Sequence, residues 1–270
     1  NTGGVLYQGI TNRIAVTNAI TLQSVGPSVT EIKGGGFFGP SAIRGVYLAS
    51  GAQLVGFTIS GGFTALTGAS NITQSGGGIW CEPTAVISNC AIVSNNASYF
   101  GGGVYQGALY NCIVGNNGIT NVAGAGAGAY GTTQYQCRII NNFSFNNGGG
   151  VSASTLYNCT LSNNVSVLNG GGAHNSYLTN CVVQKNISLG WFGGGAYGST
   201  PGGYSANVTD PARTTEHEGR RSGPTSTSST SGFSGPSPSR GGGGPLDRLK
   251  RPGDPPRRHG PRPVAFRSPA

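Results

Sequence analysis

Methionine is absent from the 270 residues, and Asp, Glu, Lys and Arg together make up only 9%. Residues 1–200 contain no Asp, two Glu (Glu31 and Glu82) and one His (His174). Carboxylate cages for Ca²⁺ and the paired acids of glycoside hydrolysis both need clustered Asp or Glu, so this scarcity argues against catalysis by the stretch itself. No apolar run approaches the length of a membrane-spanning helix. Six cysteines occur without a C-x-x-C pair, which argues against a redox or zinc motif and leaves packing as the simplest role. No metal or cofactor is expected.

Charge is also unevenly placed. Residues 1–200 carry five Lys/Arg against two acids, whereas residues 201–270 carry eleven against five, along with twelve of the fifteen prolines. The basic pI near 9.5 therefore belongs mainly to the tail. Its arginines could attract nucleic acid only through generic electrostatics, and no specific nucleic-acid partner is expected. The chain opens at Asn1 with neither Met nor a leader pattern, which reads as a mature form or an internal fragment.

Fifty glycines dominate what is present, and many fall in a repeat. GGGVYQGALYNC begins at Gly101, GAGAYGTTQYQC at Gly126, GGGVSASTLYNC at Gly148 and GGGAHNSYLTNC at Gly170. A longer copy, GGGIWCEPTAVISNC, starts at Gly76, and a truncated one, GGGAYGST, at Gly193. The closing cysteines, Cys90, Cys112, Cys137, Cys159 and Cys181, stand 22, 25, 22 and 22 residues apart. A fixed period of this size marks a solenoid.

The columns give each position a role. Two residues after each cysteine comes an aliphatic (Ile92, Val114, Ile139, Leu161, Val183), so alternation sends both inward and the residue between them outward. Arg138 in that outward column supports the direction. Five residues after each cysteine is an Asn (Asn95, Asn117, Asn142, Asn164, Asn186), suited to hydrogen bonding along the axis and to a left-handed bend. Three of these five fall within the seven N-x-S/T triplets, which the ladder explains without glycosylation. The glycine blocks would supply another corner. A 22-residue rung with three strands and three bends predicts an all-β parallel β-helix over 1–200, regular from 76 and coarser over 1–75. The early part reads as about three rungs with loops at 34–41 and 63–75. Nine or so rungs would span about 40 Å.

A further column runs Trp80, Tyr105, Tyr130, Ser152, His174 and Tyr197, next to an inward apolar one (Ile79, Val104, Ala129, Val151, Ala173, Ala196). Its residues are expected to face solvent. Trp80, Tyr105, Tyr130, His174 and Tyr197 are thus the candidate glycan-binding residues, since exposed rings can stack on sugar faces; the alternative is that the ladder only stabilises the sheet.

These motifs resemble right-handed parallel β-helix repeat proteins of the pectate-lyase-like superfamily. NNASYFGGG and VYLASGAQLVGFTISGG are similar to repeats of polymorphic outer-membrane proteins and autotransporter passengers. The resemblance covers about 200 residues. It implies a non-catalytic secreted, cell-surface or outer-membrane protein of structural or adhesive role, with a polysaccharide or a neighbouring cell surface as partner. It also leaves open a fragment of a polysaccharide lyase or glycoside hydrolase whose acids lie in other rungs, and a trimeric tailspike.

After GGGAYGST the template fails: Pro201, Gly203 and Tyr204 stand where an aliphatic and Asn-Cys are due. The Arg/Pro/Gly/Ser-rich sequence that follows cannot bury enough apolar surface to order itself, so 201–270 is expected to be a disordered tail. A frame-shifted reading of a GC-rich gene and a genuine linker are two accounts of it.

Overall fold

A computed structural model describes residues 3–25, 30–190 and 192–201. The expected disordered tail lies outside these residues, apart from Pro201. All regular structure described is β-strand. β1 (Val5–Tyr7) pairs antiparallel with β2 (Ile10–Val16); the other named pairings are parallel. The first turn comprises β2, β3 (Thr21–Gln23) and β4 (Glu31–Lys33), and the second β5 (Ile43–Leu48), β6 (Gln53–Val55) and β7 (Thr58–Ser60). Residues 1–75 therefore make two turns with an antiparallel strand at the end, where the sequence suggested three rungs. The short β1 opposes β2 in the manner of an edge cover.

From the third turn each rung has four strands, beginning with β8 (Ile79–Cys81), β9 (Val86–Ser88), β10 (Ala91–Val93) and β11 (Asn96–Ala97). Equivalent strands stack into four sheets, called here A to D in that order. Three strands per rung was thus one too few. The Asn ladder and the glycine block are separated by a two-residue strand that forms sheet D, too short to leave an alternation signal. The described residues make seven complete turns and the start of an eighth, against the nine expected.

The core is a set of straight columns. Cys90, Cys112, Cys137, Cys159 and Cys181 are buried, as are the aliphatics two residues on. On sheet A, Ile79, Val104, Ala129, Val151 and Ala173 are fully buried; Ala196 in the last described rung is exposed. The odd member is Gln134, which replaces an aliphatic in the sheet B column between Leu109 and Leu156. It is fully buried, donates to Thr132 Oγ1 at 2.9 Å and leaves its own Oε1 without a partner.

The Asn ladder forms as expected, but its physical basis differs in one respect. Asn142 accepts at Oδ1 from the Asn117 N–H (2.9 Å) and Nδ2 (3.1 Å), and donates from Nδ2 to Val114 O (3.0 Å) and Asn164 Oδ1 (2.9 Å). The same pattern links Asn95, Asn117, Asn164 and Asn186. The left-handed backbone falls one residue earlier, on Ser94, Asn116, Asn141, Asn163 and Lys185. The ladder residues serve as buried amides, not as bend formers.

The glycine block has two distinct jobs. Its first residue is left-handed, as at Gly126 (φ 68°) and Gly148 (φ 63°). Its third lies against the ladder: a Cβ on Gly128 would sit 2.5 Å from Gly150 O and 2.9 Å from Asn142 Nδ2. Glycine there makes room for the asparagines, so the two motifs are one device.

Candidate functional site

The outer face of sheet A carries the predicted aromatic column and extends it toward the start of the chain. Tyr47 stacks on Trp80 at 5.3 Å between ring centroids, Trp80 on Tyr105 at 5.8 Å, and Tyr105 on Tyr130 at 5.9 Å with planes 2° apart. Ser152 interrupts the run, and His174 and Tyr197 resume it at 5.9 Å. Ser152 Oγ and His174 Nδ1 lie 3.2 Å apart, and burial lowers the His174 pKa.

The expectation that this column faces solvent is corrected for two members. Tyr105 is only 7% exposed and Ser152 3%. Phe100, from the residue preceding the glycine block, folds over the column and stacks on Tyr130 at 4.2 Å and Tyr105 at 6.4 Å. Trp80, Tyr130 and His174 are half-buried, and Tyr197 is 40% exposed. Parallel rings in register spend part of each face on their neighbours, so the column stabilises the sheet whatever else it does.

Near the start of the column, loop 63–75 is fastened by two side chains. Trp80 Nε1 donates to Asn71 O at 2.7 Å. Arg44, fully buried, donates to Gly76 O (3.0 Å), Ser75 O (2.8 Å), Ile72 O and Asn12 Oδ1 (3.2 Å). Burial lowers its pKa to about 9, because carbonyl dipoles replace water and no carboxylate appears among these partners. Nothing in the sequence pattern marks Arg44 for this role; it sits in a strand as any surface arginine would.

The two acids do not meet. Glu31 lies on sheet C, where it accepts from Ser60 Oγ. Glu82 follows β8 and accepts from Tyr47 Oη (2.6 Å) and the Ser50 N–H (2.8 Å), contacts that lower its pKa. Among the described residues no group of three or more His, Cys, Asp or Glu could hold a metal, and no helix is long and apolar enough to cross a membrane.

All six cysteines are free and buried. The Cys112 and Cys137 N–H groups each donate to the sulfur of the next cysteine at 3.4 Å. Contacts with neighbouring thiols, then burial, push the Cys112 and Cys181 pKa values up; burial does the same for Cys81. Hydrogen bonds with neighbouring thiols shift Cys90 and Cys137 the other way, downward. All six sulfurs are enclosed, which keeps reagents from them, and those held neutral at Cys81, Cys112 and Cys181 are poor nucleophiles as well.

A second outer surface, not selected from sequence, lies where sheets B and C meet. Tyr110, Tyr135 and Tyr157 stack at 4.8 and 5.0 Å with planes within 10°. Each is followed by a left-handed corner residue (Asn111, Gln136, Asn158), and Asn89 and Asn180 extend that row. Asn111 Nδ2 donates to Asn89 Oδ1 at 2.8 Å, and Asn180 Nδ2 to Asn158 Oδ1 at 2.6 Å. The corner amides open onto a shallow groove lined by Asn89, Asn111, Gln136, Ala91, Ile113 and Arg138. The signal was available in the repeat: the tyrosine two residues before Cys112, Cys137 and Cys159.

No family model and no curated protein matches the chain. Among solved structures it is similar to a trypsin-treated variant of QnrB1, a plasmid-mediated fluoroquinolone resistance protein. That match has 13% identity over 70% of this chain and 91% of the other, with a TM-score of 0.19. A likeness that small carries no argument about function.

Proposed function

We propose that the chain is a non-catalytic parallel β-helix of structural or adhesive role, secreted or displayed on a cell surface, which holds a glycan along its outer columns. The repeat motifs that resemble pectate-lyase-like and autotransporter-passenger proteins support this reading. So does the distribution of chemistry: Glu31 and Glu82 stand on different faces, each engaged with side chains of its own neighbourhood. The observation that carries the glycan part is the aromatic column of sheet A, whose half-open rings at Trp80, Tyr130 and Tyr197 follow the solenoid axis. Rings in that setting can offer apolar faces or edges to sugars.

Co-sedimentation of the full chain with cell-wall fractions and insoluble polysaccharides tests it. Retention should occur, and Tyr130→Ala together with Tyr197→Ala should reduce it without loss of the β-rich circular dichroism spectrum. Failure of the unaltered protein to be retained by any fraction would sink the proposal.

A further inference from the structure

Side chains that oxidants attack are unevenly placed on this solenoid. Methionine is absent and all six cysteines are free but buried, so the two side chains oxidised most readily are missing or enclosed. Oxidation at the surface then falls on phenol and indole rings. Sheet B presents three phenols in an arrangement found nowhere else among the described residues. Leu109, Gln134 and Leu156 point inward, and period two sends Tyr110, Tyr135 and Tyr157 outward. Parallel pairing in register sets Tyr110 opposite Tyr135 and Tyr135 opposite Tyr157. Their centroids are 4.8 and 5.0 Å apart with planes 5° and 10° apart, and Ser88 and Thr179 bound the row. Tyr110 is 42% exposed and the other two are half-buried.

The remaining tyrosines are less well placed to meet as phenols. On sheet A the rings from Tyr47 to Tyr130 stand 5.3–5.9 Å apart, Trp80 separates Tyr47 from Tyr105, and Phe100 stacks on both Tyr105 and Tyr130. Tyr7 and Tyr47 approach to 4.5 Å but cross at 54°, and Tyr47 is fully buried with its hydroxyl donated to Glu82. Tyr177 is 60% exposed yet stands opposite two threonines, Thr155 and Thr200.

We propose that Tyr110, Tyr135 and Tyr157 form an oxidative cross-linking site, where hydrogen peroxide acting through a haem peroxidase joins successive turns by a tyrosine–tyrosine carbon–carbon bond. Two neighbouring phenols each lose one electron and one proton and become phenoxyl radicals. The radicals pair in a new bond between ring carbons ortho to the oxygens, and the hydrogens on those carbons shift to the oxygens to restore both phenols. Hydrogen peroxide takes up the two electrons and two protons and leaves as two waters, so the chain ends two hydrogen atoms lighter. Register matters because a radical formed on one ring has its partner already alongside, on the same chain. Position on the outer face matters because the rings must swing from stacking to bonding distance. The bond ties the fourth turn to the fifth, or the fifth to the sixth. It restricts the unfolded chain as a disulfide would, in a protein whose cysteines are unpaired. The inference is independent of whether the solenoid holds a glycan.

The full chain, kept dilute, is treated with a haem peroxidase and hydrogen peroxide, and the monomer is then isolated under denaturing conditions. Cross-linked peptides are mapped by mass spectrometry, and bityrosine fluorescence gives the yield. The monomer should carry a Tyr110–Tyr135 or a Tyr135–Tyr157 link and should unfold at a higher urea concentration than the untreated chain. Tyr135→Phe keeps the stacked ring but removes the shared phenol, which leaves Tyr110 and Tyr157 two rungs, about 10 Å, apart; the yield within the monomer should fall about tenfold. Tyr130→Phe on sheet A should leave that yield unchanged. Both variants retain an aromatic ring, so a native β spectrum is expected for each. If exposure alone governed the reaction, Tyr177 would lead and the products would be chains linked to one another. That result would overturn the site, as would a monomer without either link or an undiminished yield in Tyr135→Phe. An unchanged urea midpoint in the linked monomer would overturn its role as a tie between turns.

Discussion

Asn142→Ala tests how the solenoid is held together. Asn142 is fully buried at the centre of the ladder, and removing its amide deletes four hydrogen bonds. Some of the groups left behind keep other partners: Asn164 Oδ1 still accepts from the Asn142 N–H, and Asn117 Nδ2 still reaches Ile92 O. The Asn117 N–H does not. Four net contributions of about 1 kcal/mol each, one aggravated by a buried unsatisfied donor, predict a loss of about 4 kcal/mol. For a folded region of about 200 residues that corresponds to a fall of roughly 8–16 °C in Tm. Thermal unfolding followed by far-UV circular dichroism measures it, with Thr160→Ala on the outer face as a control expected to move Tm by less than about 2 °C. Asn142→Asp should cost at least as much at neutral pH, because a carboxylate would face Val114 O and Asn164 Oδ1 in place of the donor. That variant should recover as pH falls, since burial raises its folded pKa and the protonated acid can donate. A loss below about 1 kcal/mol for Asn142→Ala would refute the claim that the amide ladder secures this corner.

Gln134→Leu should stabilise the protein by about 1 kcal/mol, since it removes an unpartnered buried oxygen and completes the Leu109–Leu156 column; a lower urea midpoint than the parent would contradict this. Thiol labelling with iodoacetamide should modify none of the six cysteines in the folded protein and all six in denaturant, because each is buried and free; rapid native labelling of the column would show that it opens.

Much of the fold was legible because a solenoid repeats each contact in every rung. Period, inward cysteines, alternating aliphatics and the Asn column all follow from local sequence, since parallel stacking in register places like above like. The antiparallel β1 and the fourth sheet escaped notice. A three-residue and a two-residue strand carry no usable alternation, and only their pairing partners define them. The candidate site was legible in part: the sheet A column is present, but Tyr105 lies beneath Phe100, a contact between a loop residue and the face beside it.

The amino-acid sequence by itself determined the solenoid, its period and which side chains form its columns, because those depend on spacing alone. The tertiary structure decided which residues carry the left-handed bends and which aromatics are covered. It also decided that Arg44 is buried among carbonyls. Each of these turns on which groups meet across rungs, and burial and hydrogen-bond satisfaction are properties of that meeting rather than of the residue.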